Sequence, residues 1–264
     1  MPVSRQAICR VLHIAAASVS LLLACGTTRA DDVSVAVAAN FTGAVRELAA
    51  RFEQRTGHRA QVSIGSTGKL YAQIRHGAPF EVFLAADDET PAKLIAESAA
   101  VGDSRFTYAV GRLVLWSASP DVVDDQGAVL KTGSFRHLAI ANPKLAPYGA
   151  AALQAMRSLG VREQPAPRLV QGESISQAYQ YVVSGNAELG FIALSQVMQQ
   201  GRLSAGSGWT VPESLHSPLR QDAVLLNAGR GKPAALAWLE WLKSDEAAAV
   251  IRAHGYTLPQ AGAR

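Results

Sequence analysis

The sequence predicts an α/β fold of two lobes, each a mostly parallel sheet flanked by helices, with a ligand-binding cleft between the lobes. Apolar, β-branched strands alternate with helices across short polar turns, a pattern typical of parallel sheets wound with helices. This pattern occurs twice, and a β-rich stretch without a helix of its own separates the two copies. The 234 residues that follow Ala30 are also sufficient for two medium domains with real cores.

Residues 1–30 have the composition of a signal peptide. Two arginines precede an apolar core at residues 11–24, and a small-x-small site predicts cleavage after Ala30. The apolar core is too short for us to expect a membrane span. A weak lipobox ends at Cys25, and in that alternative Cys25 carries lipid and tethers the protein. We therefore expect export to the periplasm.

Composition argues against several classes of function. Both cysteines, Cys9 and Cys25, lie in the expected signal peptide, so the exported domain has no thiol. Cleavage would lower Lys+Arg from 25 to 22 against 21 Asp+Glu, and this near-neutral balance gives no support to nucleic-acid binding. The remaining histidines show no metal-ligand spacing, and no Gly-x-Ser-x-Gly occurs, so we expect neither an enzyme nor a structural metal. These histidines are His58, His76, His137, His216 and His254.

We expect lobe I to consist of residues 31–112 and 222–264. Its helices are predicted to begin after polar residues: Asn40 opens the first helix, Asp87 caps the third, and Ser244 caps the last. The predicted strands are a strand from Val33, Arg59–Ile64, Glu81–Ala85 and the returning Asp222–Leu226. The predicted helices are Phe41–Arg55, Lys69–Arg75, Thr90–Ala99, Pro233–Leu242 and Asp245–His254. Leu236, Leu239 and Leu242 with Trp238 form an expected apolar face, and the tryptophans are expected in the core.

We expect lobe II to consist of residues 113–221, reached through a β-rich crossover at Tyr108–Ser117. Gly160 and Gly185 mark the ends of its two helices. The predicted elements are strand His137–Ala141, helix Gly149–Leu159, strand Arg168–Val170, helix Ile175–Val183 and strand Glu188–Ile192. The segment Gly201–Pro218 is expected to be irregular. The hinge is expected within the strands that connect the lobes.

Four polar turns, around Asn40, Thr67, Tyr148 and Ile175, are the candidate ligand site. Ligands of open α/β sheets lie beyond the carboxyl ends of strands, where helix N-termini offer unpaired N–H groups to anions. Two turns belong to each lobe, so a ligand that touches all four would lie in the cleft of a hinge-closing binding protein. Each turn also has a structural explanation: helix capping for Asn40 and Ser174, a flexible turn for Thr67, and a half-buried aromatic ring for Tyr148.

Over residues 31–259 the sequence resembles the periplasmic molybdate-binding proteins of ABC-type molybdate transporters. The segments that carry the resemblance are Val37–Thr42, Gly65–Leu70, Gly77–Pro79, Phe83–Asp87, Ala141–Gly149, Arg220–Leu226 and Gly255–Tyr256. The resemblance implies a two-lobe periplasmic-binding-protein fold and the capture of molybdate, or tungstate, for the permease and ATPase subunits of an importer. We expect a monomer with no cofactor, no nucleic-acid partner, and molybdenum only as the bound oxyanion.

The resemblance also implies roles for individual residues. Asn40 and Thr67 would donate hydrogen bonds from lobe I, and Tyr148 and the backbone of Ile175 from lobe II. Ser66 and Ser174 are possible additional ligands. One branch of the family has Ser at the position of Asn40, Ala at that of Tyr148, and Tyr at that of Ala193. The phenol at Tyr148 therefore compensates for the one missing at Ala193, and only the assignment of donors to individual oxygens is left open.

Other interpretations stay open from the residues alone. Sulfate or phosphate is an alternative oxyanion, although Glu173, the carboxylate nearest a predicted turn, is expected to point outward. A ferric-ion site would need clustered tyrosines, and Tyr179 and Tyr181 do not share a helix face. A hydrolytic enzyme of the cell envelope is disfavoured by the missing catalytic motifs. The effector domain of a transcription regulator is disfavoured by the export signal and the missing helix-turn-helix segment.

Overall fold

The structure, a computed structural model, describes residues 31–161, 169–199 and 201–259. The expected signal peptide, with Cys25 and the cleavage site after Ala30, lies outside the described residues. Arg168, at the start of the strand expected there, does so too. Among the residues described, no helix is both long enough and apolar enough to cross a membrane.

Strands and helices alternate along most of the described chain. The strands are β1 (Asp32–Ala38), β2 (Arg59–Gly65), β3 (Val82–Leu84), β4 (Phe106–Gly111), β5 (Leu113–Ser117), β6 (Leu138–Ala141), β7 (Leu169–Gly172), β8 (Leu189–Ala193), β9 (Met198–Gln199), β10 (Arg202–Leu203), β11 (Ser207–Thr210) and β12 (Leu219–Leu225). The α-helices are α1 (Thr42–Thr56), α2 (Thr67–Arg75), α3 (Glu89–Ala96), α4 (Val129–Thr132), α5 (Pro147–Ser158), α6 (Ile175–Val183), α7 (Pro233–Leu242) and α8 (Asp245–Ala253).

Two five-stranded sheets form the centres of the two lobes. The first sheet has the strand order β2-β1-β3-β12-β4, and the second has the order β11-β5-β8-β6-β7. Four strands of each sheet point the same way. The reversed strands are β12, antiparallel to both β3 and β4, and β5, antiparallel to both β8 and β11. The predicted fold class, two lobes with mostly parallel sheets, is confirmed.

In each lobe, the reversed strand is the strand that the chain forms directly after it crosses from the other lobe. The chain leaves the first sheet at Gly111, and β5 begins two residues later at Leu113. It returns through residues 211–218 into β12, which begins at Leu219. Leu219 to Gln221 pair with β4 and therefore belong to the first sheet. The lobe boundary expected from the sequence, after residue 221, assigns these residues to lobe II instead.

Alternation along the strands places apolar side chains on both faces of the first sheet. Val35 and Val37 of β1 pack into one core, and Ala36 between them packs into the other. This follows from the two-residue period of a strand, and burial on both faces explains why β1 is apolar from Val35 to Ala38. In the first of these cores, the rings of Phe52 and Trp238 meet edge to face with centroids 5.0 Å apart, a pairing worth about 0.5–1.5 kcal/mol beyond area burial.

Local capping signals place the helices well. Ser174 Oγ accepts a hydrogen bond from the Gln177 N–H at the start of α6, and Ser244 Oγ accepts one from the Ala247 N–H at the start of α8. Asp87 Oδ1 accepts the Thr90 N–H near the start of α3. These caps are confirmed, because each satisfies a donor that the first turn leaves unpaired.

Two expectations about secondary structure are wrong. The segment Gly201–Pro218 is not irregular throughout, because β10 pairs with β9 and β11 forms an edge of the second sheet. Leu236 does not belong to the buried face of α7, since it is 45% exposed, whereas Trp238, Leu239 and Leu242 are buried. Burial of Trp238 and Trp241 confirms that these tryptophans are core residues.

Candidate functional site

Parallel pairing brings the four predicted turns to the ends of the two sheets. β1 and β2 stay paired up to Ala38 and Gly65, and β6 and β7 stay paired up to Ala141 and Gly172. Because paired parallel strands end side by side, the turns that follow them begin at the same sheet edge. Each turn leads into a helical segment, so helix N-termini converge from both lobes.

These turns line a small cavity, in which the centre of a water-sized sphere has about 10 Å³ of free space. Asn40, Ser66, Thr67, Tyr148 and Ile175 line it together, and each is at most 4% exposed. The other lining residues are Ala38, Ala39, Ala86, Ala146 and Pro147. Ser174 is not among the lining residues. Every side chain that lines the cavity is uncharged, so an anion there would be bound by dipoles alone.

Two hydroxyl groups of the first lobe have protons to offer. Thr67 Oγ1 accepts a hydrogen bond from the Ala86 N–H at 3.1 Å, which leaves the hydroxyl proton for another acceptor. Ser66 Oγ is buried without a hydrogen-bond partner in the described structure. Since an unpaired buried hydroxyl is costly, this atom indicates a place for a polar ligand. Thr67 is also the first residue of α2, where the backbone N–H has no partner within the helix.

Asn40 does not cap a helix, contrary to expectation. It lies in a single 3₁₀ turn, Ala39–Phe41, and α1 begins only at Thr42. Its side-chain Nδ2 donates to Gln221 Oε1 at 2.9 Å and to Tyr256 Oη at 3.1 Å. Both side-chain donors are therefore engaged by the protein. The backbone N–H of Asn40 precedes the first N–H that is hydrogen-bonded within the turn. It is therefore the donor of this residue that is free to bind a ligand.

Tyr148 is completely buried rather than half-buried. Its hydroxyl accepts a hydrogen bond from Gln221 Nε2 at 3.2 Å. Burial raises the pKa of Tyr148 well above its ordinary value, with a further contribution from Tyr256, while the hydrogen bond from Gln221 and the nearby Asn40 amide act in the opposite direction. The phenol consequently stays protonated across the physiological pH range and is able to donate.

The N-terminus of α6 supplies backbone donors from the second lobe. Ser174 accepts the Gln177 N–H, so the serine side chain caps the helix as the structural alternative predicts. Ile175, the first residue of α6, keeps a backbone N–H that has no partner within the helix. Its backbone is therefore available to a ligand, although its side chain has no polar atom.

A buried polar network behind the cavity was not identified from the sequence. Gln221 Oε1 accepts from Asn40, Tyr108 Oη lies 3.1 Å from the same oxygen, and Tyr256 Oη donates to the backbone carbonyl of Asn40 at 2.7 Å. Gln221 and Tyr256 lie in two segments that carry the family resemblance, and that was the only sequence signal for them. Residues 181 and 216 positions from Asn40 cannot be paired with it by local periodicity.

Direct contacts join the two lobes around the cavity. The Gly68 N–H donates to the Leu145 carbonyl oxygen at 2.9 Å. The remaining contacts are Ser176 Oγ to the Ala39 carbonyl at 3.2 Å, Ser195 Oγ to the Asn40 carbonyl at 3.0 Å, and Lys69 Nζ to a carboxylate oxygen of Glu173 at 3.0 Å. The cleft is thus closed. Glu173 is exposed and faces away from the cavity, as expected.

A wider groove of about 470 Å³ adjoins the cavity and shares four lining residues with it, Thr67, Ala86, Ala146 and Pro147. Both signs of charge line this groove, which contains Asp87 and Asp88 as well as Lys144 and Arg220. Burial raises the pKa of Asp87, and hydrogen bonds from the Thr90 N–H and hydroxyl oppose the shift. The charged groups thus lie outside the cavity and leave its interior neutral.

The described residues contain no group of three or more His, Cys, Asp or Glu side chains placed to hold a metal ion. The cavity instead collects hydrogen-bond donors, three of them hydroxyl groups and the others backbone N–H groups. Such a set suits a small ligand whose atoms are acceptors.

Two lobes joined by two chain crossings, with a buried set of donors where the lobes meet, define a solute-binding protein of the hinge-closing class. A family model described as bacterial extracellular solute-binding protein matches residues 33–257. The chain belongs to this family and, within it, to the molybdate-binding proteins.

Individual relatives support this assignment. The molybdate-binding protein ModA of Azotobacter vinelandii is 59% identical over 237 residues, which cover 90% of this chain and 94% of that protein. ModA of Rhodobacter capsulatus is 53% identical over 227 residues, covering 86% and 88% of the two chains. The solved structure of the Azotobacter vinelandii periplasmic molybdate-binding protein superposes with a TM-score of 0.84, at 43% identity over 86% of this chain and 100% of that chain. These relatives are solute-binding proteins rather than enzymes.

Proposed function

We propose that this protein captures molybdate, and tungstate as its closest chemical equivalent, outside the cytoplasm and delivers it to an ABC importer. The observation that carries the proposal is the closed cavity of uncharged donors between the lobes. The relatives from Azotobacter vinelandii and Rhodobacter capsulatus, which match most of the chain, are molybdate-binding proteins by name, and this supports the choice of ligand.

The donors divide between the lobes. From the first lobe, we assign to the anion the hydroxyls of Ser66 and Thr67 and the backbone N–H groups of Asn40 and Thr67. From the second lobe, we assign the phenol of Tyr148 and the N–H of Ile175. A fully ionised tetrahedral oxyanion has only acceptor atoms, so it can accept from every one of these groups. A hydrogen bond to a charged partner contributes about 1.5–3 kcal/mol, and a handful of them is enough for tight binding.

The same donor set disfavours phosphate. Near neutral pH a phosphate ion carries a proton that must be donated to an acceptor, and no carboxylate lines the cavity. Glu173, the nearest candidate along the chain, is engaged by Lys69 at the surface. Sulfate has no such proton, so its exclusion depends on the size of the closed cavity.

Closure supplies the signal to the importer. Four of the assigned donors belong to the first lobe and two to the second, so the full binding energy is available only when the cleft is closed. We propose that residues 31–112 and 219–264 move against residues 113–218, with the hinge at the connecting strands near Tyr108–Ser117 and Asp222–Leu226. The boundary expected from the sequence, after residue 221, is moved because Leu219 to Gln221 pair with β4. Permease and ATPase subunits would recognise the relative positions of the two lobe surfaces. The protein acts as a monomer without a cofactor in this scheme.

We further propose that residues 1–30 direct export to the periplasm and are removed after Ala30. The small-x-small site at residues 28–30 supports this processing. Lipid attachment at Cys25 is the alternative. The mass of the mature protein isolated from the cell envelope distinguishes them, since only the lipidated form retains Cys25.

Calorimetric titration of ligand-stripped protein with molybdate, tungstate, sulfate and phosphate tests the proposed ligand. We expect one molybdate or tungstate per chain, bound much more tightly than sulfate or phosphate. Equal affinity for sulfate or phosphate would show that the cavity does not select molybdate.

A further inference from the structure

We infer that Gln221 is a positioning residue that makes the Tyr148 phenol a donor toward the anion. The inference rests on the proposed function and concerns the same cavity, although Gln221 does not line it. Gln221 is fully buried on β12 of the first lobe, and its side chain reaches cavity residues of both lobes. The donor and acceptor of each hydrogen bond in this network can be assigned in turn, beginning at a backbone carbonyl, which can only accept.

The first steps of this path orient the Asn40 amide. A backbone carbonyl only accepts, so the Tyr256 hydroxyl is the donor in its 2.7 Å bond to the Asn40 carbonyl oxygen. The Tyr256 oxygen is then left to accept, and Asn40 Nδ2 donates to it at 3.1 Å. The second proton of the same Nδ2 goes to Gln221 Oε1 at 2.9 Å. Both protons of this amide are therefore accounted for.

The next steps orient the Gln221 amide. Its oxygen faces Asn40 Nδ2, and the Tyr108 hydroxyl, which donates to the Ala85 carbonyl at 2.9 Å, lies 3.1 Å from the same oxygen. With the oxygen held on that side, the Nε2 atom faces Tyr148 and donates to its hydroxyl oxygen at 3.2 Å. Asn40 Nδ2 opposes a flip of the Gln221 amide, because a flip would bring the N–H groups of the two amides together.

Tyr148 is the end of this path. Its oxygen accepts from Gln221, and within the described residues no acceptor lies in bonding position for the phenol proton. Since the Tyr148 side chain lines the cavity, the proton is left for a ligand there. Gln221 thus makes Tyr148 the donor, and the ligand the acceptor, in the hydrogen bond between them.

Close packing prevents the pair from shifting. A Cβ atom at Gly111 would lie 2.1 Å from the Tyr148 hydroxyl oxygen and 2.6 Å from Gln221 Nε2, so the backbone there packs directly against both groups. The register of β12 against β4 also shifts between Gln221 and Asp222, next to the residue whose orientation matters. The backbone at Gly111 therefore holds Gln221 and Tyr148 against each other.

Replacing the amide with a carboxylate should reverse the bond. An ionised carboxylate only accepts, so in Gln221→Glu the Tyr148 proton would be donated to the new side chain. The phenol would then present a lone pair to the cavity. Such a site loses a donor for molybdate and gains an acceptor for the proton of hydrogen phosphate. Position 221 consequently selects between fully ionised and protonated oxyanions.

A double-mutant cycle tests whether Gln221 acts through Tyr148. Molybdate is titrated into ligand-stripped wild type, Gln221→Met, Tyr148→Phe and the double variant, with thermal unfolding to verify that each is folded. We expect each single variant to bind roughly 10- to 150-fold more weakly, the usual loss for one hydrogen bond to a charged group. The double variant should bind no more weakly than Tyr148→Phe alone. If the affinity loss of the double variant equals the product of the two single losses, the two residues act independently and the inference is wrong.

The control for the cycle is Gln61→Met, the same substitution on β2. The Gln61 amide is at the surface, where it donates to Asp32, so molybdate affinity should be unchanged. Absence of molybdate binding in wild type would instead contradict the proposed function. The two failures are therefore distinguishable.

The second test uses Gln221→Glu at pH 8. At this pH phosphate is mostly a dianion, like molybdate, so the negative charge of the new glutamate should weaken the binding of both anions to a similar extent. Molybdate is titrated in the presence and absence of excess phosphate. Phosphate should weaken apparent molybdate binding in Gln221→Glu and leave wild type unaffected. If phosphate has no effect on either protein, Gln221 does not determine the direction of the Tyr148 bond. This arm decides the question if Gln221→Met does not fold.

Discussion

Replacement of Gly68 by alanine should weaken molybdate binding without destabilising the protein. Gly68 lies in the first turn of α2, where its N–H donates to the Leu145 carbonyl of the other lobe at 2.9 Å. A Cβ atom at this position would be 3.1 Å from both the Cα and the carbonyl oxygen of Leu145. Both are backbone atoms, so no side-chain rotation can relieve the contact. The lobes would have to separate by a few tenths of an ångström at this point.

The expected loss follows from this one contact. Lengthening the interlobe hydrogen bond costs at most the net free energy that the bond contributes, about 0.5–1.5 kcal/mol. This cost corresponds to roughly 2- to 12-fold weaker binding. The stability of the ligand-free protein should move the other way, because alanine is favoured over glycine in a helix by about 0.5–1 kcal/mol. Weaker binding combined with equal or higher thermal stability is the signature of impaired closure.

Calorimetry with molybdate and thermal unfolding of the ligand-stripped protein measure the two quantities. Gly43→Ala is the matched control, because Gly43 lies in the first turn of α1 and a Cβ atom there would meet only the His254 side chain, at 3.2 Å. Its molybdate affinity should equal that of wild type. Wild-type affinity in Gly68→Ala would refute the reasoning, since the closed contact between Gly68 and Leu145 would then play no part in binding.

Three further predictions concern the donors, closure and acid stability. Thr67→Ala should weaken molybdate binding by about 1.5–3 kcal/mol in calorimetry with little change in melting temperature, and unchanged affinity would remove this hydroxyl from the site. Small-angle scattering should show a smaller radius of gyration with saturating molybdate, whereas an unchanged radius would favour a rigid preformed pocket. Although desolvation opposes the shift, hydrogen bonds from Arg136 and the His137 N–H lower the pKa of Glu188 to about 2 from 4.5. This carboxylate therefore stabilises the fold above about pH 4.5 and loses that effect as the pH falls toward 2, so Glu188→Gln should lower the melting temperature at pH 7 and have little effect near pH 2.

Local signals predicted those parts of the site that depend on neighbouring residues. The start of α6 at Ile175 followed from Ser174, whose side chain bonds only three residues ahead. The position of Thr67 followed from the polar turn after β2. Such features are encoded within one helical turn, so a single sequence is enough to recognise them.

The role of Asn40 could not be predicted in the same way. Asparagine after a strand suggests a cap, but here tertiary partners engage its side chain, and both come from the far end of the chain. The strand β11 was missed for a related reason. Its sequence, Ser-Gly-Trp-Thr, has only four residues and contains a glycine, which is depleted in strands, and pairing with β5 stabilises it.

The placement of β12 determines when the first lobe can be completed during folding. β12 lies between β3 and β4, so β4 has no partner within its sheet until the chain beyond residue 218 is available. The second sheet is made of one continuous piece of chain, from β5 to β11, and needs nothing that follows it. Pairing strands more than a hundred residues apart is slow, because a long loop must close first. We therefore expect the second lobe to form first and the first lobe to be completed around it, so that a chain stalled or cut before β12 would have one folded lobe and an unpaired strand exposed to aggregation.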